Sequence, residues 1–94
     1  MINVVAKGVF QENALQTVIA LYQELIAETK KEKGCLSYEL YQDIDNPCIL
    51  TMLETWENKA YLDAHSASAH FQRIVPQIGK FRLEKDLHVY TKIA

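Results

Sequence analysis

Glu54, His65 and His70 lie close together in the chain, and each is of a type that can take or give a proton near neutral pH once its surroundings are tuned. His65 is the first candidate for a base, or for a group that orients a phenolic hydroxyl; the plainer role is a surface or capping histidine. His70, next to Phe71, is the second, its plainer role being a partly buried, hydrogen-bonded residue. Five residues along one helix turn the second imidazole about 500° from the first, which leaves the rings roughly 140° apart, unlike the i, i+4 pair that chelates zinc. Only a break near Ser66 would change that, and no third ligand presents itself, so the expectation is no metal. Glu54 and Trp56 share one strand face by period two, together with Leu50 and Met52. A carboxylate there is either a base of raised pKa or half of an ion pair, and Lys7 or Arg82 as partner makes the ion pair the favoured reading. Trp56 could stack on an aromatic substrate or simply fill the core. Tyr38, Tyr61, Phe71 and Phe81 are the expected pocket wall, in a pattern that plain core would also show.

The elements that must position these groups follow from periodicity. Residues 2–10 read as a strand through Val4, Val5, Val9 and Phe10. Leu15, Val18, Ile19, Tyr22, Leu25 and Ile26 recur at helical spacing, which predicts a helix over 14–33 with Asn13 as N-cap, Lys30, Lys31 and Lys33 suiting its C-terminal dipole, and Gly34 ending it. Two strand-like runs, 35–43 and 48–57, flank Ile44-Asp45-Asn46-Pro47, whose residue types make a hairpin. Asn58 caps a short helix reaching His65. A second helical stretch begins near Ser66 or Ser68, is kinked or split by Pro76, and closes at Gly79 and Lys80. Leu87, Val89, Thr91 and Ile93 alternate with polar residues as a last strand.

Strand, helix, strand, strand, helix, strand is the order of a ferredoxin-like βαββαβ fold of the α+β class, with a four-stranded antiparallel sheet and helices on one face. The strands carry apolar residues on both faces: Leu36, Tyr38 and Leu40 against Tyr41, and Leu50 and Met52 against Ile49 and Leu53. Two helices cover one face only, so the other is expected to pack against a second subunit in a homodimer.

The run ETWENKAYLDAHSASAHF resembles the motif of the antibiotic biosynthesis monooxygenase (ABM) domain family, in which a Glu-x-Trp ending the third strand precedes a helix bearing a His and then a His-Phe pair. The upstream run GCLSYELYQDIDNP is similar to the family's Gly-Cys-Leu-x-Tyr strand and its turn. The resemblance implies a dimeric α/β barrel with a pocket between sheet and helices, and oxygenases that use neither metal nor flavin. The family spans quinol and polyketide monooxygenases, haem-degrading enzymes and an isomerase. In the haem-degrading branch the resemblance would require a Trp at about His65 and a His at about Val75, with an Asn later in the first strand than Asn3; these departures argue against haem.

Ninety-four residues make one expected domain over 1–94. Hydrophobic residues at 49% and charged ones at 23% exclude disorder and low complexity, and a net charge of −2 lacks the surplus that nucleic acid or an acidic membrane demands. CILTMLETW shows no RNA-binding aromatic and basic pattern either. The N-terminus has no basic n-region and no window is apolar enough to span a membrane, so the expected location is the cytoplasm. Hairpin pairing sets Cys48 opposite about residue 43 or 44, roughly 25–30 Å along the sheet from Cys35, which excludes an intrachain disulfide. The functional expectation is a cofactor-independent monooxygenase that oxidises a small quinol or phenolic, polyketide-like compound with dioxygen. The competing reading is a non-catalytic dimeric ligand-binding or stress-associated module of the same fold.

Overall fold

β-Branched and aromatic side chains favour an extended chain wherever one face can be buried, and β1, Ile2–Phe10, forms the centre of the sheet on those terms. The computed structural model describes residues 1–94. On one side β1 pairs antiparallel with β3, Ile49–Trp56, setting Val4 opposite Glu54 and Ala6 opposite Met52. On the other it pairs with β4, Arg82–Thr91, setting Ala6 opposite Leu87 and Gly8 opposite Lys85. β2, Cys35–Gln42, completes the open sheet in the order β2-β3-β1-β4, with Tyr38 opposite Glu54. This is the ferredoxin-like α+β arrangement. The register puts Leu50, Met52, Glu54 and Trp56 on the helix-covered face together with Tyr38 and Leu40. Tyr41, Leu53 and Val5 fall on the uncovered face, where Tyr41 and Leu53 are exposed.

Three helices cover that face: α1, Leu15–Thr29; α2, Lys59–Ser66; and α3, Ala69–Gly79. Val18, Tyr22 and Leu25 of α1 and Ile74 and Ile78 of α3 are buried between the two helices and the sheet. The spacing predicts a longer first helix than the one formed. A 3-10 turn at Glu12–Ala14 intervenes, with the Ala14 N–H bonded to the Gln11 carbonyl, so Asn13 caps nothing and α1 starts at Leu15. At the other end the N–H groups of Lys31 and Glu32 bond to the carbonyls of Glu28 and Thr29, i to i+3 bonds that tighten and end the helix. Gly34, at φ 85°, then turns the chain into β2, in the left-handed region where a side chain would be strained.

Two further expectations are corrected. Leu36 does not share a face with Tyr38 and Leu40: a register shift between Cys35 and Ser37 makes Leu36 the extra residue of a bulge, and it is exposed. Pro76 forfeits one backbone bond but does not split α3, which runs unbroken to Gly79 while burying Ile74 and Ile78 on either side of it. The caps at Asn58 and Ser68 form as expected, their side-chain oxygens accepting from the N–H groups of Tyr61 and Phe71.

Candidate active site

The register of β3 aims Glu54 inward, and its carboxyl is only 8% exposed. The favoured ion pair is absent. Lys7 borders the same cavity as Glu54 but makes no salt bridge with it, while the Arg82 guanidinium lies over the Phe10 ring at 5.7 Å. The partner of Glu54 is instead the Trp56 indole, whose Nε1 donates to Oε1 at 2.9 Å. Burial pushes the Glu54 carboxyl up to about 7, with the indole bond opposing and the charge of Glu32 adding to the rise.

Glu54 forms part of the wall of a cavity of about 90 Å³ between sheet and helices, with Tyr22 and Leu25 of α1, Tyr38 of β2, Met52 of β3, and Phe71, Val75 and Ile78 of α3. Burial and the neighbouring Glu54 hold the Tyr38 hydroxyl well above the ordinary tyrosine range, so it stays protonated and is a hydrogen-bond donor. Arg82, Lys85 and Leu87 bring β4 to the same cavity.

Of the expected catalytic and pocket residues, Glu54, Tyr38 and Phe71 meet at this cavity, and Trp56, Tyr61, Phe81 and the two histidines stand elsewhere. Trp56 is fully buried behind the wall, edge-on to Tyr38 at 6.3 Å and tilted against His65 at 4.8 Å. Tyr61 packs its ring over Gly34, occupying the space a Cβ there would need. Phe81 lies at the turn into β4, where its carbonyl accepts from the Gln11 N–H.

The two histidines come together, against the angular argument made for one continuous helix. Ser68 ends α2 and starts α3, its Oγ donating to the His65 carbonyl at 2.7 Å and accepting from the Phe71 N–H, and this break resets the rotation between the two rings. His65 Nδ1 and His70 Nε2 each lie 2.7 Å from the same oxygen, Oε2 of Glu32. His65 is 2% exposed and wrapped by Tyr38, Trp56 and Phe71, so it is neither a surface residue nor at the cavity mouth. Burial lowers its pKa, with the Glu32 contact opposing, so the neutral ring donates Nδ1–H to the carboxylate.

Glu32 was missed in the sequence, where its stretch read only as cations at a helix end. The signal available was a lone acid among Lys30, Lys31 and Lys33. Donor atoms of Glu32, His65 and His70 lie within 4.8 Å of one another, and two imidazoles with a carboxylate suit a zinc-class ion. Ligands of such an ion, at about 2.0–2.1 Å from it, stand roughly 3.3 Å apart. At 2.7 Å the separations are those of N–H···O bonds, so without an ion the three residues form a hydrogen-bonded tie. Cys35 and Cys48 are free thiols, and burial pushes Cys35 up to about 11, far from a reactive thiolate.

An open ferredoxin-like sheet with a cavity under its helices defines the class of protein. The family model for antibiotic biosynthesis monooxygenase matches residues 1–77, and the chain belongs to that family. It is 31% identical to "Putative monooxygenase Rv0793" of Mycobacterium tuberculosis over 82% of this chain and 75% of that protein. Among solved structures, a conserved protein from Methanosarcina mazei Go1 superposes with a TM-score of 0.96 at 41% identity, covering 98% of this chain and 92% of that one. An antibiotic biosynthesis monooxygenase structure superposes with a TM-score of 0.95 at 32% identity, covering 100% of both chains. The chain spans only 39% of the length of "Uncharacterized protein sll1783" of Synechocystis, to which it is 37% identical over the matched segment.

Proposed function

We propose that this protein is a cofactor-independent monooxygenase that oxidises a small phenol or quinol with dioxygen in the cavity beside Glu54. One observation carries the reading: a carboxyl with no cationic partner, set at about 7, in a mostly apolar cavity. A base poised near the working pH removes a phenolic proton efficiently. The resulting anion is electron-rich enough to pass an electron to dioxygen. In the completed reaction one oxygen atom replaces a ring C–H hydrogen to give a quinone carbonyl, and the other leaves as water. All the electrons come from the substrate, so no separate reductant enters the balance. The Tyr38 hydroxyl, kept protonated, is a donor for the developing oxyanion.

The base is Glu54 rather than His65 or His70, because His65 is sealed behind Trp56, Tyr38 and Phe71, and neither imidazole is on the cavity wall. The cavity, at about 90 Å³, is smaller than the roughly 150 Å³ that encloses a benzene. The substrate is therefore a single ring that reaches the mouth, not an enclosed polycycle. That small volume also favours the second reading, a ligand-binding module without chemistry. Oxygen consumption by metal-free protein over a panel of hydroquinones and monophenols separates the two. Uptake that depends on protein and on ring size is expected, and a flat response across the panel would establish the module instead.

We further propose that a second copy of the chain covers the open sheet face, closing the sheets into a dimeric barrel. Tyr41 and Leu53 are exposed there, and so is Tyr90, opposite Asn3 on the same face. No helix is long and apolar enough to cross a membrane. Light scattering at micromolar concentration should give about twice the 10.8 kDa chain mass; a strict monomer would remove the barrel.

A further inference from the structure

The three cations that line the cavity, Lys7, Arg82 and Lys85, have no carboxylate within salt-bridge distance, unlike some cations elsewhere on the protein. Lys31, Lys59 and Arg73 each have a carboxylate within salt-bridge distance, namely Glu28, Asp63 and Glu24. Arg82 has none, although it is half-buried at the start of β4 and forms part of the cavity wall. Its neighbours are the Phe10 ring, Gly8 and the Tyr22 hydroxyl, which offer packing and one neutral oxygen but no counter-charge. Glu54, the one carboxyl on the wall that faces the helices, is bonded to Trp56 and its pKa is held up rather than down, so Arg82 does not serve it. Lys85 stands at the rim, opposite Gly8 on the helix-facing side of β4, and it too is without an acidic partner.

A guanidinium withdrawn from water is normally paired, and its planar fork matches a carboxylate in two parallel bonds. Gly8 leaves the approach open, since a Cβ there would stand 3.4 Å from Arg82 Nε and would strike the Phe10 ring. One end of the cavity therefore accepts a proton and the other lacks an anion. We infer that the ligand of this cavity is a phenolic acid, a single hydroxylated ring carrying a carboxylate on a short chain, with its hydroxyl at Glu54 and its carboxylate on Arg82 and Lys85. The inference rests on the reading of this cavity as the substrate site, and it makes Arg82 the residue that selects anionic phenols over neutral ones.

Calorimetric titration of the wild-type protein with 3-(4-hydroxyphenyl)propanoate and with its neutral alcohol analogue tests this without requiring turnover. The acid should bind about tenfold more tightly or better, the scale of a charge-assisted hydrogen bond. That preference should shrink in 0.5 M salt, fall towards unity in Arg82→Gln, and be partly kept in Arg82→Lys. Melting curves of both variants show that the comparison is between folded proteins, and the salt dependence of the wild type keeps the test alive should a variant unfold. Equal binding of the two probes would overturn the anionic class while leaving the cavity as a phenol site. Failure of both probes to bind would overturn the class and the site together. A preference surviving unchanged in Arg82→Gln would remove Arg82 as its source and so defeat the inference.

Discussion

Glu54→Gln is expected to lose catalysis and gain stability at once. The amide keeps an oxygen to accept from Trp56 Nε1 but cannot take a proton, so oxygen uptake should fall by roughly 10²–10⁴-fold, the usual scale for loss of a general base. The stability gain follows from linkage. Folding raises this carboxyl from an ordinary 4.5 to about 7, so the folded protein binds the proton more tightly than the unfolded chain does. Its favourable contribution is complete below about pH 4.5 and is lost as pH rises through about 7. At pH 8 the wild type carries the whole cost of an ionised buried carboxylate, up to about 3 kcal/mol. Gln escapes that cost, so the variant should melt roughly 10 °C higher than wild type at pH 8, with the gap closing towards pH 5. The same protonation makes wild-type turnover climb with pH through about 7. Differential scanning calorimetry at pH 5 and 8, alongside initial rates, checks both halves. A melting difference independent of pH would mean that Glu54 is ionised without penalty, and undiminished turnover would place the base elsewhere.

Glu32→Ala should be among the most damaging single changes in the chain outside the apolar core. It removes the acceptor of two short bonds and leaves the Nδ1–H of a 2%-exposed imidazole with nothing to donate to. Bonds to charged groups are each worth about 1.5–3 kcal/mol, and a stranded buried donor adds to the loss. A destabilisation of about 3 kcal/mol lowers the melting temperature by roughly 10–20 °C in a domain of this size. Glu32→Gln, with one carbonyl oxygen left, should fall between. The control is Glu28→Ala four residues earlier, whose ion pair with Lys31 is solvent-exposed and should matter by less than about 1 kcal/mol. Equal melting of the Glu32 and Glu28 variants would show that the tie holds nothing together.

Much of this architecture can be read from residue types alone, because alternation and helical spacing are local. Leu50, Met52, Glu54 and Trp56 share a face by period two whatever they pack against, and Asn58 and Ser68 announce helix starts through their own side chains. What could not be read depends on partners distant in the chain. Composition offers Lys7 and Arg82 as partners for Glu54, yet Lys7 borders the cavity without pairing and Arg82 lies over Phe10. The meeting of His65 and His70 hung on one helix break, and its third member, Glu32, lies 33 and 38 residues upstream, beyond the reach of any spacing rule. Leu36 leaves the face of Tyr38 and Leu40 for the same kind of reason, since a bulge is set by the partner strand and leaves no mark in the alternation.

β4 has a neighbour on one side only, so alternate residues along its ten-residue length present unpaired N–H and C=O groups on its far side. With Leu83, Leu87 and Val89 exposed on it, such an edge would ordinarily recruit strands from other molecules and seed aggregates. Arg82, Glu84, Lys85, Asp86 and His88 are interleaved with those apolar residues, and a further strand docking there would have to desolvate them. The same cations that lend the cavity mouth its sign thus guard the free edge of the sheet. If those cations also meet a ligand, an apolar replacement at Lys85 is expected to lower both ligand affinity and resistance to aggregation.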